Sequence, residues 1–424
     1  MKSFLYILPL VTFLALTSCG HDPGTKITPT VVDTSGNPAP LVGAAYQIED
    51  GPWQILSLDA DGALSFYVPR GKTRYGVAVR CLGSSPMVSS LANDSVSAVL
   101  QLTTEESTSP RITCLSPVPH ASLSVEVDVS SVTDATKFML FSGRSSQSSH
   151  STAGWRTVAA PYGSGRDLVV LATNAGGRGF AGKLIRDVDA VGSTSLPGIT
   201  LTDADALISH NLAAFAVPSG WDGQYSFSLH TAGGTSVDSR GLGTGSQAGG
   251  AFHALPDTGA GDTYSVEISA ANRANRQAIM RFRYIDAPAL GDVSETLQID
   301  PFAPHTVAAE AHPTLPADHA DEEVLAYAYI TTSTGNFWTY TVSRSWLAGA
   351  GEYAAPDLGG LRGFGQTQPL SGESMEWYAA ALKTNATVSE FFELPRAPSM
   401  YSLLPEKAGL VIDAAMIWGS FTMP

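Results

Sequence analysis

The chain has 424 residues and a net charge of −15, enough length for three or four domains of ~100–150 residues each. Charged residues are only 15%, Gly (41) and Pro (26) are frequent, and hydrophobic residues at 44% can fill packed cores, which excludes wholesale disorder. With 39 acidic against 24 basic residues the surface repels phosphate backbones, so nucleic acid is excluded as the partner.

The first element is Met1 to Gly20. Lys2 supplies a positive charge, Phe4 to Leu16 form an apolar run, and Leu16-Thr17-Ser18-Cys19 follows with small residues before a cysteine. This is the layout of a secretory signal peptide, and the cysteine in that place resembles the lipobox of bacterial lipoproteins. The resemblance implies cleavage after residue 18, a diacylglyceryl group on Cys19 and attachment to a membrane through that lipid. As a helix the apolar run spans about 20 Å, short of the ~20 residues a membrane span needs. A plain cleaved signal peptide and a short uncleaved anchor are the competing readings. Acyl chains hold a protein by ~0.8 kcal/mol per buried methylene, and two or three make a durable anchor. Gly20 rather than Asp follows the cysteine; under an Asp-based retention rule this favours the outer membrane or cell surface. Residues 19–27 form a tether.

Two further cysteines remain, Cys81 and Cys114. In an exported chain an even pair reads as a disulfide, and the closed loop of about 34 residues would be worth about 3–4 kcal/mol. Two free buried thiols are the alternative. No CxxC or Cys/His spacing of a zinc site is present.

Almost no segment sustains a 3.6-residue apolar period. Short alternating runs recur instead: Ala63 to Val68, Leu123 to Val129, Tyr264 to Ser269. Alternation puts one face on a core and the other in water, so the fold class is all-β, as tandem sandwiches with Ig-like or transthyretin-like modules.

Residues 28–115 form the first module. Gly36-Asn37-Pro38 turns one hairpin, Asp61-Gly62 a second, and Arg70-Gly71 ends a strand before Tyr75 to Val79. With Val31-Val32-Asp33-Thr34-Ser35, Val42 to Tyr46, Ala63 to Phe66 and Val68-Pro69, these residues resemble the carboxypeptidase regulatory-like or transthyretin-like β-sandwich. Pro40-Leu41 lengthens the first connection and departs from that pattern. The resemblance implies a non-catalytic spacer.

The remainder divides into three copies, 116–206, 207–304 and 305–424. Thr173-Asn174-Ala175 to Val188-Asp189-Ala190 matches Ala271-Asn272-Arg273 to Ile285-Asp286-Ala287 at a spacing of about 97 residues, which suits one sandwich each. A third copy offers Trp377 to Asn385. One large irregular β domain is the alternative. Ser142 to Ser151 and Gly241 to Gly250 fall at similar offsets and are expected to be exposed loops forming a candidate binding edge.

Candidate chemistry is sparse. Gly245-Ser246 and Gly163-Ser164-Gly165 lack the spacing and strand-to-helix setting of a serine nucleophile. His305, His312 and His319 recur every seven residues beside Asp318, Asp321, Glu322 and Glu323, but Pro304, Pro313 and Pro316 break any regular element, so the segment reads as an acidic linker and no metal is assigned. Asp59-Ala60-Asp61-Gly62 reads as a turn rather than a calcium loop. No Walker, Rossmann or HExxH motif occurs, so no cofactor and no catalytic residue is assigned. Glycan binding needs exposed aromatic platforms, and Trp155, Trp221 and Trp338 fall near polar, glycine-rich turns and are the candidates. Trp377 starts a strand and is assigned to the core, where sandwich domains commonly bury one Trp. The sequence thus points to a non-enzymatic, lipid-anchored envelope protein that presents loops for adhesion or for binding a protein partner, with a surface glycan-binding lipoprotein as the alternative. A hydrolase is the remaining alternative.

Overall fold

The computed structural model describes residues 24–33, 37–58, 63–82, 95–114, 120–305, 307–309, 314–317, 319, 324–331, 337–364, 371–393 and 407–423. Cys19 and the whole of the leader lie outside the described residues, as do Asp59 to Gly62, His312, Asp318 and Asp321 to Glu323. The fold is all-β. The longest described helix, Val388–Glu393, has 6 residues, and no described helix is long and apolar enough to cross a membrane.

Alternation in the sequence becomes alternation in burial. His120–Ser131 buries every second side chain, with Leu123, Val125, Val127 and Val129 fully enclosed. Three successive segments then repeat one pairing scheme. An opening strand (His120–Ser131, Ile208–Leu212 or Thr314–Pro316) pairs antiparallel with a later one (Ala153–Pro161, Gly250–Ala254 or Glu352–Ala354). A second strand (Lys137–Ser142, Asp222–His230 or Val324–Thr331) pairs on one side with Ser145–Ser148, Ser236–Val237 or Phe337–Ser343. On its other side lies the first arm of a long antiparallel pair: Gly163–Thr173 with Gly179–Ala190, Thr263–Asn272 with Gln277–Asp286, and Ser374–Thr384 with Val411–Thr422. In the first two copies a closing stretch returns parallel to the opening strand, as Ser193–Ser195 and Ile199–Thr202 in one and as the Leu212–Val293 bridge in the other.

The copies are not beads on a string. One 13-stranded sheet runs through the second copy, the third copy and the N-terminal module. Val411–Thr422 joins copy to copy, pairing with Ser374–Thr384 on one side and with Gln277–Asp286 on the other. Phe337–Ser343 then pairs parallel with Ser95–Thr103, so residues more than two hundred positions apart become neighbours. The spatial order along this sheet is N-terminal module, third copy, second copy. Strand Gly163–Thr173 of the first copy is buried on both faces, with Leu168, Val170 and Ala172 inside its own sandwich. Val169 and Leu171 instead meet Phe227, Leu229 and Ile268 of the second copy. The first copy therefore packs face to face on the second.

The two low-complexity stretches differ from the expected exposed loops. Ser145–Ser148 is an edge strand, Ser142 and Ser149 are fully buried, and the Gly143 N–H donates to Thr235 Oγ1 at 3.0 Å. Gly241 lies so close to Leu171 that a Cβ would sit 2.4 Å from its Cδ1. Small residues such as Gly143 and Gly241 let the first two copies interlock, while Ser146, Gln147 and Ser148 stay exposed on the edge strand.

In the N-terminal module, short strands Thr30–Val32 and Arg111–Thr113 lie against the large sheet. The Asp33 side chain accepts the Asn37 N–H at 2.9 Å; Gly36 of the expected first hairpin lies outside the described residues. Cys81, at the end of Arg74–Leu82, is disulfide-bonded to Cys114, which follows Arg111–Thr113; their Cα atoms are 5.9 Å apart. The bond ties the two layers together. Replacing both cysteines by alanine is expected to cost about 3–4 kcal/mol in urea denaturation, and a loss below about 1 kcal/mol would show that packing alone holds the layers.

Candidate functional site

The second-copy end of the large sheet has two unlike faces. Tyr225, Phe227, Leu229, Val266 and Ile268 are buried on one face, in a core shared with Leu212 and Phe252 of the same copy and Val169 and Leu171 of the first. The intervening positions are polar: Gln224, Ser226 and Ser228 stand opposite Ser269, Glu267 and Ser265 in register. Strand alternation makes this separation. Crossing the sheet on the same face, Ser269 faces Met280, Ala271 faces Ala278, Ala278 faces Met416, and Trp418 faces Tyr378.

Part of this face lines a cleft of about 250 Å³. Its floor is Ala271, Ala278, Met280 and Met416; the half-buried Tyr378 and Trp418 form one end, Gln224, Glu267 and Ser269 the other, with Arg273 at the rim. Directly opposed cross-strand residues have Cβ atoms ~4.5–5.5 Å apart, so the two aromatic side chains form one platform. The Tyr378 hydroxyl donates to Glu376 Oε2 at 3.2 Å, which holds its ring in place. Burial pushes the Glu267 carboxyl above the usual carboxylate range, partly opposed by Ser226 Oγ, which donates to Oε2 at 3.3 Å. The arrangement offers an apolar platform for the C–H face of a ring, with a carboxyl, an amide and a hydroxyl beside it as hydrogen-bonding partners.

The tryptophans singled out from sequence are not gathered on one surface. Trp155 is 53% exposed on Ala153–Pro161 of the first copy, opposite Glu126. Trp221 is half-buried after the Pro218 turn and packs against the core that contains Trp338. Trp338 is only 8% exposed and lies parallel to Tyr340 with ring centroids 6.3 Å apart, so it is a core residue and not a ligand platform. Its turn neighbours misled, because Phe337–Ser343 is an interior strand between two others. Trp377 is 4% exposed, beneath Gly419, where a Cβ would lie 2.6 Å from its Nε1. Trp418 was missed by the sequence reading. Its signal was its phase: it shares a face with half-buried Met416, while Ala415 and Ile417 are buried on the other.

Of the histidine series, His305 and His319 are among the described residues. His319 is 6% exposed, its Nε2 bonds the Asp300 carbonyl at 2.8 Å, and its ring meets Phe302 edge-on. Among the described residues no group of three or more metal-ligating side chains forms.

No family model matches the chain, and no curated protein matches it. Among solved structures it is similar to the Bacillus anthracis TIE protein, at 11% identity over 65% of this chain and 50% of that one, with a TM-score of 0.16. It is also similar to the shaft pilin SpaA of Lactobacillus rhamnosus GG, at 9% identity over 42% of this chain and 97% of that one, TM-score 0.14. The pilus adhesin SpaC of the same organism, in its open conformation, matches at 12% identity over 76% of this chain and 43% of that one, TM-score 0.15. The chain thus spans half the length of the TIE protein. These scores carry no functional inference, and what those proteins do stays with them.

Proposed function

We propose that this chain is an exported lipoprotein, held at a membrane surface through Cys19, that binds a glycan over the Trp418–Tyr378 platform without catalysing its conversion. The observation that carries the binding reading is the platform itself: two paired aromatic side chains on the open face of a sheet, with Glu267, Gln224 and Ser269 across the cleft. Sugar rings present an apolar C–H face and a rim of hydroxyls, which this combination complements. Residues 28–115 act as the spacer next to the anchor. The order of charge, apolar run, small residues and cysteine in Lys2 to Cys19 supports export and lipidation.

Titration with a panel of soluble oligosaccharides is expected to quench or shift tryptophan fluorescence. Trp418→Ala is expected to weaken binding at least tenfold, an order of magnitude in keeping with the loss of one central aromatic contact, while Trp155→Ala leaves it unchanged. Absence of any response across the panel overturns the glycan reading. Anchoring is tested separately: Cys19→Ser is expected to move the protein from the membrane fraction to the soluble fraction, and retention in the membrane overturns the lipid anchor.

A further inference from the structure

A second cleft, about 380 Å³, lies where the first copy packs on the second. The first copy contributes the hairpin tip between Gly163–Thr173 and Gly179–Ala190. That turn is fixed: Asn174 accepts the Gly177 N–H on its carbonyl and the Arg178 N–H on its side chain, at 3.0 and 3.1 Å, and Gly177 takes a φ of +91° that favours glycine. The second copy contributes Arg240 to Thr244 and His253. The two segments touch, since a Cβ on Gly177 would lie 3.9 Å from the Cβ of Arg240, and one on Gly179 would lie 2.6 Å from the Gly241 carbonyl oxygen. Arg178 and Arg240 are thereby brought to one cleft from copies more than sixty residues apart.

We infer that this junction cleft binds an oxyanion, a phosphate or carboxylate group carried on a ligand of about monosaccharide size. In a chain of net charge −15 with 24 basic residues, two arginines and a histidine converge here on a wall of bare glycine backbone. Arg178 makes no ion pair among the described residues; its guanidinium carbon lies 5.8 Å from the centroid of the Phe180 ring, within cation–π range. Arg240 gives Nε and Nη2 to Asp238, at 3.0 and 2.6 Å, and keeps Nη1 without a partner among the described residues. Asp238 therefore orients Arg240 and cancels one of the two positive charges, leaving a net positive cleft. Burial lowers the pKa of His253, and the nearby Arg178 and His210 lower it further, the expected sign where positive groups crowd one another. An oxyanion between the guanidinium groups relieves that repulsion and accepts their N–H donors in the planar geometry arginine favours. Because the donors come from both copies, the ligand would also fasten the first copy to the second.

Calorimetric titration of the full chain with inorganic phosphate, glucuronate and glucose tests the assignment. Saturable binding of phosphate or glucuronate, with none of glucose, is expected. Phosphate alone identifies a phosphoryl ligand and glucuronate alone a carboxylate ligand. The Arg178→Gln/Arg240→Gln double variant is expected to bind at least tenfold more weakly with an unchanged melting temperature. Arg156→Gln, which removes a half-buried arginine on the edge strand Ala153–Pro161 of the first copy, is expected to bind normally. The assignment is overturned if neither anion binds, if the double variant binds as well as the parent, or if Arg156→Gln weakens binding equally.

Discussion

Replacing Arg281 by methionine is expected to cost about 3–5 kcal/mol, because it leaves the buried Asp413 carboxylate without its cation. Arg281 and Asp413 stand directly opposite on Gln277–Asp286 and Val411–Thr422. Nε and Nη2 of Arg281 meet the two oxygens of Asp413 at 2.8 and 2.9 Å, Nη1 lies 3.4 Å from Glu295, and Nη2 also reaches Gln298. The three charged side chains are only 11%, 9% and 6% exposed. Glu295 keeps Arg283, but Asp413 keeps no other cation among the ion pairs of the described residues. Urea denaturation measures the loss. The companion Arg281→Met/Asp413→Leu removes both charges and is expected to regain most of it, since a buried pair replaced by apolar groups is often neutral. Equal destabilisation of the single and double variants would show that Arg281 matters for packing rather than charge.

Arg186→Met is expected to loosen the first copy from the second at a cost of about 3 kcal/mol. Arg186 belongs to the first copy and clasps Asp262 of the second through Nη1 and Nη2, at 3.2 and 2.5 Å, with Asp167 3.6 Å away. Asp262 is fully buried; it also accepts the N–H groups of Ala232 and Gly259, while Asp167 accepts that of Gly233. Burial by itself would raise the Asp262 carboxyl, but Arg186 and the two backbone donors outweigh it and hold the carboxyl below the usual value of 3.8. A depressed carboxyl contributes stability that is complete above its unfolded pKa and is lost as pH falls through its folded one. The parent and Arg186→Met should therefore differ most near neutrality and converge in acid below pH 3.8. A constant difference down to strong acid would assign the effect to something other than this carboxyl.

Local structure was legible in the sequence wherever one face meets a core and the other meets water. Leu123 to Val129 and Tyr264 to Ser269 declared their strands by alternation, and Asn174 and Asn272 marked hairpins that the structure places at matching points of two copies. Junctions between copies were not legible. Gly163–Thr173 is apolar on both faces because a second layer covers it, and that pattern says that a partner exists without saying which one. Asp167, Arg186 and Asp262 are nearly a hundred positions apart at the extremes and become a cluster only after two sandwiches dock. The cleft escaped for the same reason, since Trp418 and Tyr378 acquire meaning only through their register. Trp338 was misplaced because turn-like neighbours describe the ends of a strand, not its depth in a sheet.

The position of Val411–Thr422 also sets an order of assembly. The Gln277–Asp286 edge has no partner until a strand made more than a hundred residues later arrives, and Ser95–Thr103 waits longer still for Phe337–Ser343. Such non-local pairings are slow to form, and open edges are templates for intermolecular association. Folding cannot be completed copy by copy as the chain emerges. A chain stopped before Val411 would leave two sheet edges bare, those of Gln277–Asp286 and Ser374–Thr384, so truncation should yield aggregates rather than a shorter soluble protein.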